Sequence, residues 1–478
     1  MKILHVAAEA MPFIKTGGLA DVVYSLSKEL TKQKHKVSVI LPLYKKIIIN
    51  NYNDLIFNCS FAVKSGIINE EVKVYSNKVD NITYYFIENQ KYFERDSLYG
   101  YWDDGERFSF FNLAILNFLR TSNLKFDICN IHDWQVGIMP MMNNIYYRDI
   151  KLRYVYTIHN LAYQGIFPKE LMRSCLSIDY SNFNNGLMKF NDCISFMKTG
   201  ILTANKILTV SNTYSKEILT EEYGENLNYV LKDRESDLFG VLNGIDYSIY
   251  NPNKSDIYFN YSLSNVIKGK KENKLYMQET LGLEKNAEVM VIGVVSRLTS
   301  QKGMNLVLNK IKAILNLNLQ VVILGTGDKD LEDSFKSLEY QYKGQLVFYC
   351  GYNEKLAHQI YAGVDFFLMP SLYEPCGLSQ IIAMKYGALP IVRETGGLKD
   401  TVLPFNEFTE EGTGFSFSRY DSDDMYHCIE YAYKIYYNNK KSLTKLIKNA
   451  MRKNYSFKES AQLYLGVYQE LIDKVRYE

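Results

Sequence analysis

Six short motifs in this sequence, four of them with glycine, gather lysine, arginine, glutamate or histidine, the residue types that hold anions and polar ligands. The first is Lys15-Thr16-Gly17-Gly18-Leu19-Ala20-Asp21. Its glycines let backbone approach a ligand, the helix that follows offers free N–H groups, and Lys15 adds a full charge. A plain tight turn with a solvated lysine fits the spacing equally well. No Gly-Lys-Ser/Thr ending is present, so this is not a Walker phosphate loop. His132-Asp133-Trp134 and Thr157-Ile158-His159-Asn160 each follow an apolar run. A single histidine at such a place is more often structural, but two in one region strengthen each other as ligand contacts. Ser296-Arg297-Leu298-Thr299-Ser300-Gln301-Lys302-Gly303 sets an arginine and a lysine five residues apart, both able to reach a diphosphate, though a solvated basic loop fits the run equally well. The most informative run is Pro370-Ser371-Leu372-Tyr373-Glu374-Pro375-Cys376-Gly377-Leu378-Ser379-Gln380. There a carboxylate precedes a glycine and a helix start, and Cys376 reads as a small packing residue or, less readily, as a catalytic thiol. Glu394-Thr395-Gly396-Gly397-Leu398-Lys399-Asp400 is either another ligand wall or only a turn with a helix cap.

The elements that must position these motifs are legible as apolar runs alternating with helical patterns. Lys2–Ala8 reads as a buried strand, Leu19–Gln33 as a helix and Lys36–Leu41 as a second strand, a βαβ unit with a parallel sheet. Glu71–Tyr75 and Asn81–Glu88 read as strands of an insertion. A helix over Glu106–Leu119 and strands over Phe126–Ile131, Arg153–Ile158 and Lys206–Val210 complete a first series. A second series holds strands Val289–Ser296, Leu319–Leu324, Leu346–Tyr349, Phe366–Met369 and Leu389–Val392, with a helix over Met304–Leu315. A polar Asn/Lys/Ser-rich stretch, Asn251–Asn273, separates the two series. Ser456 and Glu459 have capping-box spacing before a tail helix running from Phe457 to about Val475. The fold class is therefore α/β: two Rossmann-like, doubly wound parallel-sheet domains with an interdomain cleft. The expected boundaries are 1–245, 246–456 and a tail helix, 457–478.

Bulk properties narrow the function. The 478 residues are 47% hydrophobic and 23% charged, with a formal net charge of +2. No basic stripe of the kind that grips nucleic acid is present. No apolar run approaches membrane-spanning length. Glu9 and the glycine turn that follows argue against a signal peptide at the amino terminus. Seven scattered cysteines without CxxC or metal spacing fit reduced thiols in the cytoplasm. The 40 tyrosines read mainly as core and surface filling, with carbohydrate contact as the lesser alternative.

Taken together, the motifs resemble the bacterial glycogen/starch synthases, retaining glycosyltransferases of family 5. The resemblance rests on K-T-G-G-L at 15–19, Tyr-Val-Tyr-Thr-Ile-His-Asn-Leu-Ala-Tyr-Gln-Gly at 154–165, Val-Leu-Asn-Gly-Ile-Asp at 241–246, Ser-Arg-Leu-Thr-Ser-Gln-Lys-Gly at 296–303 and Glu-Pro-Cys-Gly-Leu-Ser-Gln at 374–380, all in order. It implies a GT-B fold and a hexosyl transfer from ADP-glucose to glycogen or a malto-oligosaccharide, with no metal or other cofactor. By matching positions, Lys15, Gly17, Gly18, Arg297 and Lys302 would meet the donor phosphates. Leu378 and Ser379 would supply backbone amides, and Tyr352 would lie by the adenine. Glu374, Cys376, Gly377, Asn243 and His159 would surround the glucose, and Asp133, Trp134 and Asn160 would face the sugar and acceptor end. His159, Glu374, Arg297, Lys302 and Asp133 are the residues expected to carry catalysis. Many retaining GT-B enzymes have a second glutamate eight positions after the one matching Glu374; here that residue is Ile382, which favours the synthase branch. A monomer or weak homo-oligomer is expected, without nucleic-acid or membrane partners.

No carboxylate stands out as a nucleophile for a double displacement, so front-face attack is the expected route to retention. The competing readings are a sucrose- or trehalose-phosphate-type transferase, a sugar-nucleotide epimerase and a non-catalytic glucan-binding relative. Loss of charged site residues would mark the last, yet Lys15, Arg297, Lys302 and Glu374 are all present. Glycogen phosphorylase fits poorly, because the chain is short and lacks a visible pyridoxal-phosphate lysine motif.

Overall fold

In the computed structural model, which describes residues 1–474, the chain divides into two compact units. The first comprises Met1–Asn243 with the tail from Phe457, and the second is Gly244–Ser456. The second unit begins two residues ahead of the expected 246. Ile245 is buried in its core and donates its N–H to the Tyr455 carbonyl at 2.8 Å.

The first unit is built on a nine-stranded sheet. From one edge its order is Leu238–Gly240, Lys206–Thr209, Tyr154–Ile158, Ile128–His132, Lys2–Val6, Lys36–Pro42, Ile82–Glu88, Ile68–Val79 and Ile56–Ser65. The first seven run parallel; the last two are antiparallel additions. Counting only the parallel strands in chain order gives 3-2-1-4-5-6-7, a doubly wound arrangement with one strand added. Lys2–Val6 is Val/Ile/Leu-rich and buried after its first residue, as expected of a strand covered on both faces.

The sheet corrects one expectation. Ile82–Glu88 is no insertion strand but the third parallel strand, in register with Lys36–Pro42 at Ser38↔Thr83 through Pro42↔Ile87. The strand Ile56–Ser65 was not anticipated. It is a mostly exposed edge element, so it lacks the apolar alternation that marks a half-buried strand.

The second unit carries a six-stranded, all-parallel sheet in the order Leu346–Cys350, Gln320–Gly325, Val291–Val295, Phe366–Met369, Leu389–Arg393, Phe415–Phe417. In chain order this is 3-2-1-4-5-6, the Rossmann order. The polar stretch 251–273 is only partly a connector. Its second half enters the helix Val266–Leu281, which buries Lys270, Asn273 and Lys274. Lys270 Nζ donates to the carbonyls of Tyr361, Ala362 and Tyr386 at 3.2, 3.1 and 3.2 Å. These carbonyls lie at the ends of two neighbouring helices, where acceptors are left over. Composition alone therefore mistook a buried polar helix for a linker.

The tail helix Phe457–Lys474 packs on the first unit; the expected end at Val475 and residues 475–478 lie outside the described residues. The expected capping box is incomplete. The Ser456 N–H goes to Asn454 Oδ1 at 3.1 Å, not to Glu459. The helix is fastened instead through its buried face: Asn130 Nδ2 donates to the Tyr468 hydroxyl at 2.8 Å, and Thr157 Oγ1 donates to Asn130 Oδ1 at 2.8 Å. No helix among the described residues is long and apolar enough to cross a membrane.

Tyr468→Phe would leave a buried amide N–H without its acceptor. It should cost about 1–3 kcal/mol of stability, measured as a lower midpoint in urea unfolding. A midpoint equal to the wild type would show that the tail is not fastened this way.

Candidate active site

Where strand order reverses in a doubly wound sheet, the flanking crossovers leave on opposite faces and open a crevice beyond the strand ends. In the first unit the reversal lies between Lys2–Val6 and Ile128–His132. The loop after the first carries Glu9 and Lys15–Gly18, and the turn after the second carries Asp133 and Trp134. His159 and Asn160 follow the next strand, Tyr154–Ile158.

The glycine loop is organised by Glu9, whose charge in the sequence speaks only against a signal peptide. Its carboxylate is 4% exposed and accepts the Thr16 N–H, as well as the Thr16 hydroxyl at 2.9 Å. Burial raises its pKa, and the bonds from Thr16 oppose that rise. Gly17 then caps the helix Gly18–Lys32 without a side chain, so no side-chain oxygen caps the first-turn N–H groups from that position. Lys15 Nζ pairs with Asp21 at 2.8 Å, in the first turn of that helix.

His132 is the last residue of its strand and is fully buried. Its Nδ1 lies 3.0 Å from His159 Nε2, and its Nε2 lies 3.0 Å from His5 Nδ1. Three rings on three adjacent strand tracks thus form one hydrogen-bonded chain. Burial keeps all three neutral, holding His5 and His159 down to about 3 and His132 well below its ordinary value.

Asp133 has a left-handed backbone (φ 59°) and accepts the His159 N–H at 2.7 Å. The Asn160 N–H also bonds it. Its side chain therefore pins the turn that presents His159 and Asn160. The Trp134 ring is 9% exposed, packed edge-on to Phe108 at 5.0 Å and tilted on Phe167 at 5.6 Å. Gly165 closes over it, since a Cβ there would lie 2.4 Å from the indole. Trp134 is thus part of the packing under the site. Asn160 Oδ1 accepts the Ala162 N–H at 3.1 Å. Asn243 is buried at the end of the first unit, three residues beyond the edge strand Leu238–Gly240.

In the second unit the reversal lies between Val291–Val295 and Phe366–Met369. Arg297 and Lys302 follow the first of these, and the segment 370–380 follows the second. Lys302 Nζ reaches both Glu374 oxygens, at 2.9 and 2.7 Å, and Ser371 Oγ donates to Glu374 Oε2 at 3.0 Å. Glu374 itself is only 6% exposed. Arg297 is exposed, and among the described residues its guanidinium takes no hydrogen bond or ion pair.

Two glycine contacts hold these loops together. Gly303 (φ 73°) lies where a Cβ would sit 2.0 Å from the Pro370 carbonyl. Gly396 and Gly397 back the site loop so closely that a Cβ would sit 2.0 Å from the Glu374 oxygen or 1.9 Å from the Cys376 oxygen. The motif 394–400, read as a wall or a turn, is thus the support behind Glu374–Cys376. Gly377 is left-handed (φ 68°), and Leu378 opens the helix Ser379–Lys385. Gln380 Nε2 ties down the Cys376 and Gly377 carbonyls at 3.1 and 2.8 Å. Cys376 is buried in this loop, and no disulfide joins it to another cysteine. Tyr352 stands 76% exposed after the neighbouring strand Leu346–Cys350. Among the described residues no group of three or more His, Cys, Asp or Glu is placed to hold a metal ion.

Each unit is built on a run of parallel strands with basic and polar residues at its reversal point, the architecture of a GT-B glycosyltransferase. The family model described as starch synthase catalytic domain matches residues 2–233, and glycosyl transferases group 1 matches 262–453. The glycogen synthase of Clostridium botulinum (strain Alaska E43 / Type E3) is 45% identical over 98% of this chain and 99% of that protein. That of Caldicellulosiruptor bescii is 43% identical over 99% and 100%. Among solved structures, the catalytic domain of starch synthase IV from Arabidopsis thaliana, bound to ADP and acarbose, superposes with a TM-score of 0.89 at 32% identity, covering 99% of each chain. The sucrose-phosphate synthase of Thermosynechococcus elongatus shares the fold, with a TM-score of 0.61 at 15% identity over 99% of each chain. The chain belongs to the glycogen (starch) synthase family and is a hexosyltransferase.

Burial raises the Asp133 carboxyl to about 7, against the two backbone N–H bonds it accepts. The native value lies above the unfolded one of about 3.9. The native state thus favours the protonated form, and the stability this gives is complete below about pH 4 and lost as pH rises through about 7. Asn has the shape of Asp and keeps an amide oxygen that can accept the same N–H bonds, so Asp133→Asn should remove this component while keeping the turn. The urea midpoint of the wild type should then fall more steeply than that of the variant between about pH 5 and about pH 8. Equal slopes would contradict the assignment.

Proposed function

We propose that this protein transfers glucose from ADP-glucose to the non-reducing end of an α-1,4-glucan, with retention of configuration and release of ADP. The observation that carries the reading is the arrangement at the second unit's strand reversal. An exposed Arg297 stands beside a Lys302 locked to Glu374, followed by the Gly377-Leu378-Ser379 backbone. The starch synthase structure bound to ADP supports the same donor type for this chain.

As the anomeric C–O bond breaks, negative charge builds on the departing diphosphate and positive charge on the sugar. In this reading the second unit, Gly244–Ser456, is the donor unit. Arg297 takes phosphate oxygens in a fork and Lys302 supplies a point charge. The N–H groups of Leu378 and Ser379 add neutral donors, and Tyr352 offers an exposed ring to the adenine. Glu374 holds sugar hydroxyls while Cys376 and Gly377 leave room beside the ring. The first unit, Met1–Asn243 with the tail helix, is the acceptor unit. There Lys15, Gly17 and Gly18 reach the phosphates, and His159 and Asn243 contact the glucose. Asn160 faces the acceptor end, with Asp133 and Trp134 acting beneath it by fixing the turn and its packing. Front-face attack by the acceptor hydroxyl on the side the phosphate leaves accounts for retention without a protein nucleophile.

Preorganised donors of this kind are worth about 3–4 kcal/mol of barrier. Arg297→Ala should therefore lower kcat roughly 100-fold or more, measured as ADP release in the presence of glycogen. Lys302→Ala should do at least as much, because it also strands the buried Glu374 carboxylate. A loss below about tenfold for Arg297→Ala would remove that residue from the donor site. The same assay compares donors: glycogen-dependent release from ADP-glucose supports the full reading, and release from UDP-glucose alone overturns the donor. No glycogen-dependent release from either would point to a different acceptor or an epimerase.

A further inference from the structure

The reaction as proposed uses His159 but gives no work to the two buried histidines behind it. His5, His132 and His159 come from adjacent strands and touch only ring nitrogen to ring nitrogen, 3.0 Å at each step. Such a chain of neutral rings has only two proton registers, because a neutral imidazole carries one N–H and His132 must accept on one side and donate on the other. In one register every ring is protonated on Nδ1: His5 donates to His132, His132 donates to His159, and His159 is left with an Nδ1–H of its own. In the other every ring is protonated on Nε2, and the direction reverses.

The inner end of the chain decides between them. His5 is fully buried, and its Nε2 has no hydrogen-bond partner among the described residues. The first register leaves a bare lone pair there; the second buries an N–H without an acceptor. Orphaned buried N–H groups are the rarer of the two. The ionisable groups that act on His132 are the other two rings, so no carboxylate favours a charged chain. Asp133, the nearest acid in the turn, spends its oxygens on the His159 and Asn160 backbone N–H groups.

We propose that His5 and His132 are positioning residues that hold His159 in its Nδ1–H tautomer, so that the ring meets the substrate as a neutral hydrogen-bond donor to a sugar oxygen. The proposal rests on reading His159 as a sugar contact. It gives His5 a role at a distance: it touches nothing in the site, yet it sets which His159 nitrogen carries the proton. In water the imidazole tautomers exchange freely; here the ring is set before substrate arrives, as preorganised catalysis requires.

The test has two arms on the full-length protein. Histidine-selective 15N labelling with long-range 1H–15N correlation reads the tautomer of each of the six histidines, with assignment by single substitution. Expected are neutral Nδ1–H forms for His5, His132 and His159 throughout about pH 5.5 to about pH 8. An Nε2–H form at His132 or His159, or titration of His159 near about 6.5, would overturn the proposal. The second arm is kinetic. His5→Leu removes the donor that sets the register and should lower kcat about tenfold, with a new pH dependence from His159. His5→Asn, whose amide N–H overlays Nδ1, should restore both. If the labelled wild type shows the Nδ1–H chain but folded His5→Leu keeps wild-type kcat and pH profile, the sugar contact of His159 is wrong, and the functional half of the proposal falls with it.

Discussion

The reversal of strand order in each sheet is the constraint on which the rest of the site depends. Because the strands flanking the first strand lead their crossovers to opposite faces, the backbone cannot fill the space beyond their carboxyl ends. The polar loops of both units sit at these ends: 9–18 and 133–134 in the first, 297–303 and 370–380 in the second. Glycine is required where two such loops crowd each other. The Pro370 carbonyl leaves no room for a side chain at Gly303, and the Glu374 carbonyl leaves none at Gly396. Lysine, glutamate and histidine are then held by short contacts between loops from neighbouring strands.

The two units solve the same electrostatic problem with different means. In the second, a nearly buried carboxylate is paired with a lysine that contacts both its oxygens, while the neighbouring arginine stays exposed. In the first, the buried polar groups are neutral or tied to backbone: a run of histidines too buried to charge, and carboxylates at Glu9 and Asp133 bonded to N–H groups of the next turn. A charged donor group suits a developing negative charge. A neutral polar surface suits a sugar face that turns cationic only at the transition state.

Much of this was legible in the sequence because each strand is a short apolar run and each motif begins where a run stops. Met304–Leu315 and Phe366–Met369 fall where their periodicity puts them. Other features depend on neighbours that sequence spacing does not reveal. Ile82–Glu88 joins the main sheet by pairing with a strand some forty residues earlier. Lys270 reads as part of the polar stretch between the two series because the carbonyls it serves lie far along the chain. His5 looks like one polar residue in a strand until the topology sets it beside His132. Glu9 gave the one local signal, a charge inside an apolar run, and the structure turns that signal into the anchor of the glycine loop.

The central claim is that this chain builds an α-1,4-glucan from a nucleotide-activated glucose. The most direct measurement supplies ADP-glucose labelled with 13C in the glucose, together with a short malto-oligosaccharide, and reads the linkage and anomeric configuration of the product by NMR. Label is expected only in new α-1,4-linked residues at the non-reducing end, one for each ADP released. Labelled free glucose, a β-linked product or an epimerised sugar nucleotide would contradict it.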